Sequence, residues 1–329
     1  MSHRRCRRWV LLLAVSLPLP VLAGALVSEP AVAAGARASV ASAGSLQELL
    51  DGYVGVDFQR RTRFQYQNRS QASLALAQEI RSEEITPNVF ISIGAAPMRL
   101  LEPKFTTWAV RLAAGPLVVA YNPKGRYASE LRKIARHQLP IRDLFQLMAR
   151  PGFRLGRTDP AIDPQGQSFL MMFQLARRYL GVSAKTVRAD LGGADQDAQI
   201  FSETALEPTL QAGQLDAASA FLPQAVQLGL PYITLPPRLD FANPRYQKTY
   251  GSVRLSLPGG KSVRGSLLDL EATVISRDGQ GAAARAFVSF LLSRPIRRLM
   301  SHQGYLLLRP AVLGRRSAVP RSVLRALGG

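Results

Sequence analysis

The sequence of 329 residues carries 42 Lys plus Arg against 22 Asp plus Glu, a formal charge of +20, with 47% hydrophobic and 19% charged residues. That balance belongs to a globular chain and excludes disorder as the default, and the length suits two ordinary cores better than one very large one. The charge favours anionic ligands or anionic surfaces without choosing between them.

The chain opens with a basic stretch holding His3, Arg4, Arg5, Arg7 and Arg8, then the apolar run "WVLLLAVSLPLPVLAGALV", then the small residues "AVAAGA". This is the layout of a secretory signal peptide over residues 1–36, cut after Ala33 or Ala36. Within "VLAGA", Ala25 stands where a lipidated cysteine would have to be, so a lipoprotein anchor is not expected. The expected location is therefore secreted or periplasmic. Cleavage removes four arginines, one glutamate and Cys6, the only cysteine, so the mature chain stays basic and has no thiol chemistry or disulfide. His137 and His302 are its only histidines, too isolated for a histidine metal site.

From Arg37 short apolar strands alternate with helical patterns. "ARASVASAG" reads as a strand, "SLQELLDGYVGVDFQRRT" as a helix, "RFQYQNRS" as a strand, "QASLALAQEIRSEE" as a helix and "NVFISI" as a strand. That order implies a parallel sheet with crossover helices. "GPLVVAYNP" is a buried strand, followed by helices in "YASELRKIARHQ" and "IRDLFQLMAR" and a strand in "FRLGRT". The next helix carries Phe169, Met172, Phe173, Ala176 and Leu180 on one stripe, Arg177 and Arg178 in its last turn, and Gly181 as its stop. A helix "PTLQAG" and strands "LDAASAFL" and "YITLP" follow. "SVRLSLPGGKSVRGSLLDLEATVI" reads as a hairpin turning at Pro258-Gly259-Gly260 and running into a long strand, and the chain closes on helices. Taking residues 115–122 and 267–275 as crossing strands gives one lobe of residues 37–115 plus 270–329 and a second of residues 116–269, with a ligand between them.

Three strand-to-helix junctions carry chemistry. "AGSL" sets Gly44 for close backbone approach and Ser45 as a helix cap whose hydroxyl can donate to an anion, beside free amides. "NRSQAS" repeats the arrangement with Ser70 and Ser73. In "TDPAIDPQG", Asp163 fits an N-cap with Pro164 at the first helical position, and Asp159 starts a turn. Two carboxylates four residues apart on a turn do not face each other across a substrate, so a glycosidase pair is not supported. No Ser-His-Asp order, P-loop, GxGxxG or paired-cysteine motif is present, and no enzyme is called for. The scattered arginines do not alternate with aromatics, so nucleic acid is not expected as a partner.

Taken in order, "ASAGSL", "SLALAQEI…PNVFISI", "GPLVVAYNP", "RLGRTDPAIDPQGQSFLMMFQLARRYLG" and "AGQLDAASAFLPQAVQLGLPYITLP" resemble the periplasmic solute-binding proteins of ABC importers, and within them the molybdate/tungstate-binding branch. The resemblance implies an α/β, two-lobed type II periplasmic-binding-protein fold, each lobe a mixed sheet flanked by helices, closing by hinge motion over a tetrahedral oxyanion. It implies a monomer without cofactor that delivers its guest to a membrane permease. It places Gly44, Ser45, Ser70, Ser73, Asp163, Gly166 and Ala220 at the guest, with Asp163 as the residue able to approach its molybdenum or tungsten centre. The sequence departs from the pattern where Ala220 stands in place of a ligating glutamate and Phe221 in place of a tyrosine. Those departures keep two alternatives open: the same fold binding sulfate, phosphate or another small anion, or a basic exported protein binding polyanions.

Overall fold

The computed structural model describes residues 36–190, 196–275 and 281–328, so the expected signal segment and Cys6 lie outside the described residues. Among the described residues no helix is long and apolar enough to cross a membrane.

The first lobe is built on strands β1 (Arg37–Ala43), β2 (Gln65–Gln71), β3 (Val89–Ile93) and β4 (Trp108–Ala114). The second holds β5 (Leu117–Tyr121), β6 (Leu155–Thr158), β7 (Ile200–Phe201), β8 (Ala217–Phe221) and β9 (Tyr232–Thr234). A separate hairpin pairs β10 (Arg254–Ser256) with β11 (Ser262–Arg264), and the chain returns to the first sheet in β12 (Asp269–Val274) and β13 (Leu306–Gly314). The first sheet has the order β13-β4-β12-β3-β1-β2 and the second β7-β6-β8-β5-β9.

Both sheets are mixed. β1 runs parallel to β2 and β3, as the alternating pattern predicts, but β12, β4 and β13 join antiparallel. The mixed sheet that the resemblance implies is what forms, and the strands "WAVRLAA" and "LLLRPAVLG" are the two that the strand pattern does not mark. The hairpin does not run on into β12: Gly265 lies so close to the Tyr250 carbonyl that a Cβ there would meet it at 2.2 Å, and the chain breaks direction before Asp269.

Burial follows strand position. β3 and β5 are buried at every residue, as central strands must be, whereas edge strand β2 alternates exposed and half-buried. Leu46, Leu49, Leu50, Val54 and Phe58 recur every three to four residues along the helical run that opens at Gly44–Leu46 and ends with Gly55–Arg61, and all five are buried against the first sheet. The chain crosses between sheets at residues 115–116 and 265–268. The two crossings are joined by Gly115 N donating to Leu268 O at 3.1 Å, and β5 and β12 each lie wholly within their own sheet.

The helix Pro164–Leu180 sets the geometry of the second lobe. Asp163 caps it by accepting from Gln165 N at 2.8 Å, Pro164 takes the first helical position, and Gly181 ends it in the left-handed conformation at φ 69°. Its first turn lies directly on β6: a Cβ on Gly166 would stand 2.3 Å from the Thr158 carbonyl oxygen and 3.0 Å from Pro160 N. Backbone atoms cannot yield as a flexible side chain can, so Gly166→Ala must lift the helix off the strand. The expected loss is about 2–3 kcal/mol of unfolding free energy, read as a lower urea midpoint at unchanged slope. An unchanged midpoint would show that this helix start is not held against β6.

Candidate functional site

At the end of β1 the chain turns into helix at Gly44, and the first amides of that run point out of the first lobe. No side chain of their own segment caps them, so the expected Ser45 cap does not form. The cap comes from the other lobe. Glu203, between β7 and the helix Leu206–Gln211, accepts from Ser45 N through Oε1 at 2.7 Å and from Gly44 N through Oε2 at 3.0 Å. The partners are 158 and 159 residues apart in sequence. Two successive amides meeting both oxygens of one carboxylate make a charge-assisted pair, the arrangement by which helix starts hold anions.

A second interlobe bond lies at the helix Ser73–Arg81, where Leu74 N donates to Ile162 O at 3.2 Å. Ser73 is buried and its hydroxyl accepts from Ile93 N at 3.2 Å, so it also ties the helix start to β3. Ile162 belongs to the turn before Asp163, where Asp159 O accepts from Ile162 N and Asp163 N and the Asp159 carboxylate accepts from Ala161 N. Asp159 is thus a turn former, as its place before Pro160 predicts.

Asp163 is 4% exposed; one oxygen caps its helix and Oδ2 has no hydrogen-bond partner. The Thr158 hydroxyl lies near this carboxyl and the Ser45 hydroxyl near Glu203, close enough to favour their charged forms but without well-formed hydrogen bonds. Glu207, one helical turn beyond Glu203, is 3% exposed with Oε1 unpartnered. Behind them a buried relay runs from the Ser219 hydroxyl to Gln165 Oε1 at 2.8 Å and from Gln165 Nε2 to Gln224 Oε1 at 2.9 Å. That same Gln224 oxygen accepts from Phe221 N. The relay locks two helix starts of the second lobe together at the cleft.

A cavity of about 270 Å³ opens at this junction, lined by Gly44, Gln47 and Glu48 from the first lobe and by Glu203, Thr204, Glu207, Gln224 and Gln227 from the second. None of its lining residues is Lys or Arg. Two other cavities, one of about 480 Å³ beside Arg154 and one of about 250 Å³ beside the Arg111–Asp269 ion pair, gather fewer convergent buried groups.

Loss of water dominates the electrostatics. Burial pushes the Asp163 carboxyl well above the usual range, the Glu203 and Glu207 charges add to that, and the Gln165 amide and Thr158 hydroxyl oppose it. Burial also raises Glu203, but the Ser45 and Gly44 donors pull it back. Glu207 is pushed up to about 8, mainly by burial and further by Glu203. Of the three, only Glu203 has donors on both oxygens, so its charged form is the best supported, while loss of water favours the protonated forms of Asp163 and Glu207. Among the described residues no group of three His, Cys, Asp or Glu is arranged to hold a metal ion.

The structure thus brings Gly44, Ser45 and Asp163 to one place, with Ser73 at the neighbouring helix start. It does not bring Ser70 there. That hydroxyl is shared with Ser42 at 3.1 Å and Asn68 at 2.8 Å, in a network that reaches Asp51 on the other side of β1 and β2. Gly166 serves the close approach of its helix to β6. Ala220 is fully buried in an apolar cluster with Val118, Leu206 and Leu210, while Ser219, one residue earlier, faces Gln165. Ala220 is not among the residues lining the cavity, and the carboxylate on the Gly44 and Ser45 amides comes from Glu203. Sequence reasoning missed Glu203, Glu207 and Thr158. The available signal was the pair of acids four residues apart in "SETALEP", one on each side of a helix start.

The profile of the bacterial extracellular solute-binding protein family matches residues 38–306. A candidate ABC transporter molybdenum-binding protein of Haloferax volcanii is 29% identical over 254 residues, covering 77% of this chain and 76% of its own. The molybdate/tungstate-binding protein WtpA of Thermococcus kodakarensis is 25% identical over 229 residues, covering 63% of each chain. Among solved structures, the periplasmic molybdate-binding protein of Azotobacter vinelandii superposes with a TM-score of 0.57 at 17% identity, over 82% of this chain and 98% of that one, a likeness of fold. With two mixed sheets, paired crossings and a polar cleft between lobes, the chain belongs to the bacterial extracellular solute-binding protein family.

Proposed function

We propose that this protein is the binding component of an ABC importer and captures a small tetrahedral oxyanion of the molybdate/tungstate type outside the cytoplasmic membrane, without catalysis. One observation carries the reading. The Gly44 and Ser45 amides, which start a helical run in the first lobe, hold an anionic group from the second lobe inside a buried interlobe site. The names of the Haloferax and Thermococcus relatives support the choice of guest. The family supports export, with residues 1–36 as the segment that directs it, and a membrane permease as the partner that receives the closed form.

In this reading the Gly44 and Ser45 amides and the Ser45 hydroxyl donate to the oxyanion, and Ser73 shapes the neighbouring wall. Protonated Asp163 donates through Oδ2. A neutral carboxyl is a donor and an ionised one is not, so the raised proton affinity of Asp163 suits a site for a dianion. If Asp163 ionises against the bound guest, the same oxygen is the one that would reach a molybdenum or tungsten centre. Closure would bend the paired crossings at residues 115–116 and 265–268.

An oxyanion has five heavy atoms; at about 1.5 kcal/mol each its binding reaches roughly −7.5 kcal/mol, a Kd of a few micromolar. Calorimetry with sodium tungstate, molybdate and sulfate should give heat with tungstate or molybdate at that affinity or tighter. Ser45→Ala should cost about 1 kcal/mol, roughly fivefold in Kd. Absence of both heat and thermal shift with all three anions would end this reading, and sulfate ranking first would move the protein to a sulfate-type guest.

Stability should respond to pH in the direction opposite to that of salt-bridged carboxylates. A carboxyl whose proton affinity is raised by folding costs nothing below its unfolded pKa and destabilises the fold as pH climbs through its folded pKa. For Glu207 that window runs from 4.5 to about 8. Glu207→Gln should therefore gain on the wild type by on the order of 2 kcal/mol in urea unfolding at about pH 9, and gain little at about pH 5. An equal difference at both pH values would show that Glu207 does not titrate in this window.

A further inference from the structure

We propose that the Glu203 carboxylate is a tethered competitor for the oxyanion: it takes the Gly44 and Ser45 amides in the unliganded protein and must release them before a guest can bind. This inference rests on the oxyanion reading above and adds a built-in occupant to that site.

Geometry carries it. Both Glu203 oxygens are engaged, one on each amide, as two oxygens of a tetrahedral anion would be. The side chain fills the space in front of them: a Cβ on Gly44 would stand 2.6 Å from Glu203 Oε2. An anion and this carboxylate cannot share that position. Glu203 also divides the cleft. It lines the cavity of about 270 Å³ and bonds the Ser45 amide, whereas Ser45 and Asp163 themselves do not reach the cavity wall.

The bond inventory points the same way. Around Glu203, the Ser45 hydroxyl, the Thr158 hydroxyl and Asp163 Oδ2 are buried without hydrogen-bond partners. A carboxylate has two oxygens, and both are used. A guest with four oxygens in the same place has two more to meet these groups. The site therefore has more polar capacity than its internal occupant satisfies, so a true guest can outcompete a tethered one.

Competition by a carboxylate makes binding depend on protons. The groups facing Glu203 are the Gly44 and Ser45 donors and the Asp163 and Glu207 carboxyls, with Glu48 across the cavity and no Lys or Arg on its lining. Burial makes Glu203 easier to protonate than an ordinary glutamate. A protonated Glu203 accepts more weakly from the amides, and protonated Asp163 and Glu207 repel a dianion less. All three shifts have one sign: anion affinity rises as pH falls.

The test uses the mature chain, with sodium tungstate, molybdate and sulfate as probes in calorimetry. Glu203→Gln and Glu203→Ala should each bind the preferred anion about tenfold tighter than the wild type or better, equivalent to about 1.4 kcal/mol. The gain in wild-type affinity as pH falls should shrink in Glu203→Gln and persist only in the part owed to Asp163 and Glu207. Small-angle scattering of the ligand-free proteins should show a larger radius of gyration for Glu203→Ala, because an interlobe clasp is gone. A crystal of the wild type with bound anion should show Glu203 off both amides.

Weaker or unchanged binding in both variants, with a wild type that binds, overturns the competitor and leaves the oxyanion reading standing. Glu203 still on the Gly44 and Ser45 amides beside a bound anion also overturns it. Binding only in the variants supports a competitor strong enough to mask the site. No binding in any of the three proteins removes the oxyanion reading, and the competitor falls with it.

Discussion

A carboxylate of one lobe seated on the two leading amides of a helical run in the other is the contact around which this cleft is organised. Helix starts leave N–H groups without internal partners, and burying such groups between lobes is costly unless an acceptor arrives. Neither Ala43 nor Ser45 supplies one. The acceptor therefore has to come across the cleft, and whatever supplies it joins the lobes. The Ser73–Arg81 helix obeys the same rule with a weaker partner, the Ile162 carbonyl. Contact between the lobes at these positions is helix capping carried out between lobes.

That arrangement constrains the charges. Asp163, Glu203 and Glu207 share a desolvated region with no cation among the residues lining the adjoining cavity, and three ionised carboxylates there would repel one another strongly. The cost is lowered where amides converge on Glu203 and where burial raises the proton affinity of Asp163 and Glu207. Asp163 illustrates the economy. Its Oδ1 accepts from Gln165 N and caps a seventeen-residue helix, while its Oδ2 is free to carry the proton. Structural capping uses one end of the carboxyl and leaves the other for the donor role proposed above.

Local chemistry was legible in the sequence and long-range pairing was not. Asp163, Pro164 and Gly181 mark the helix they bound because capping preferences act within a few residues. The apolar stripe from Leu46 to Phe58 and the buried runs of β3 and β5 likewise announce themselves by period. Gly166, placed at the guest by resemblance, has a packing reason of its own, because a Cβ there would meet the Thr158 carbonyl. Ala220 was placed at the guest by resemblance; the structure packs it in an apolar cluster, while Ser219 bonds Gln165. Glu203 had only a weak signal: in a basic chain, acids four residues apart beside a helix start look like a solvated helix face, and its partners lie more than one hundred and fifty residues away.

The large positive charge of the chain has little to do with this chemistry. Arginines such as Arg60, Arg61 and Arg69 stand on the surface, in ion pairs with Asp57 and Glu79 that water and salt screen. At the cleft, the proposed holding is done by backbone and hydroxyl dipoles fixed by the fold. A flexible lysine brings its own charge and hydration and accepts many anions. Fixed amides and hydroxyls accept a guest only if its oxygens match their directions, so shape and oxygen count become the selective features. A built-in carboxylate sharpens that choice further. A candidate guest has to exceed what Glu203 already provides on the Gly44 and Ser45 amides, and an anion with only two well-placed oxygens offers nothing that the protein does not already have.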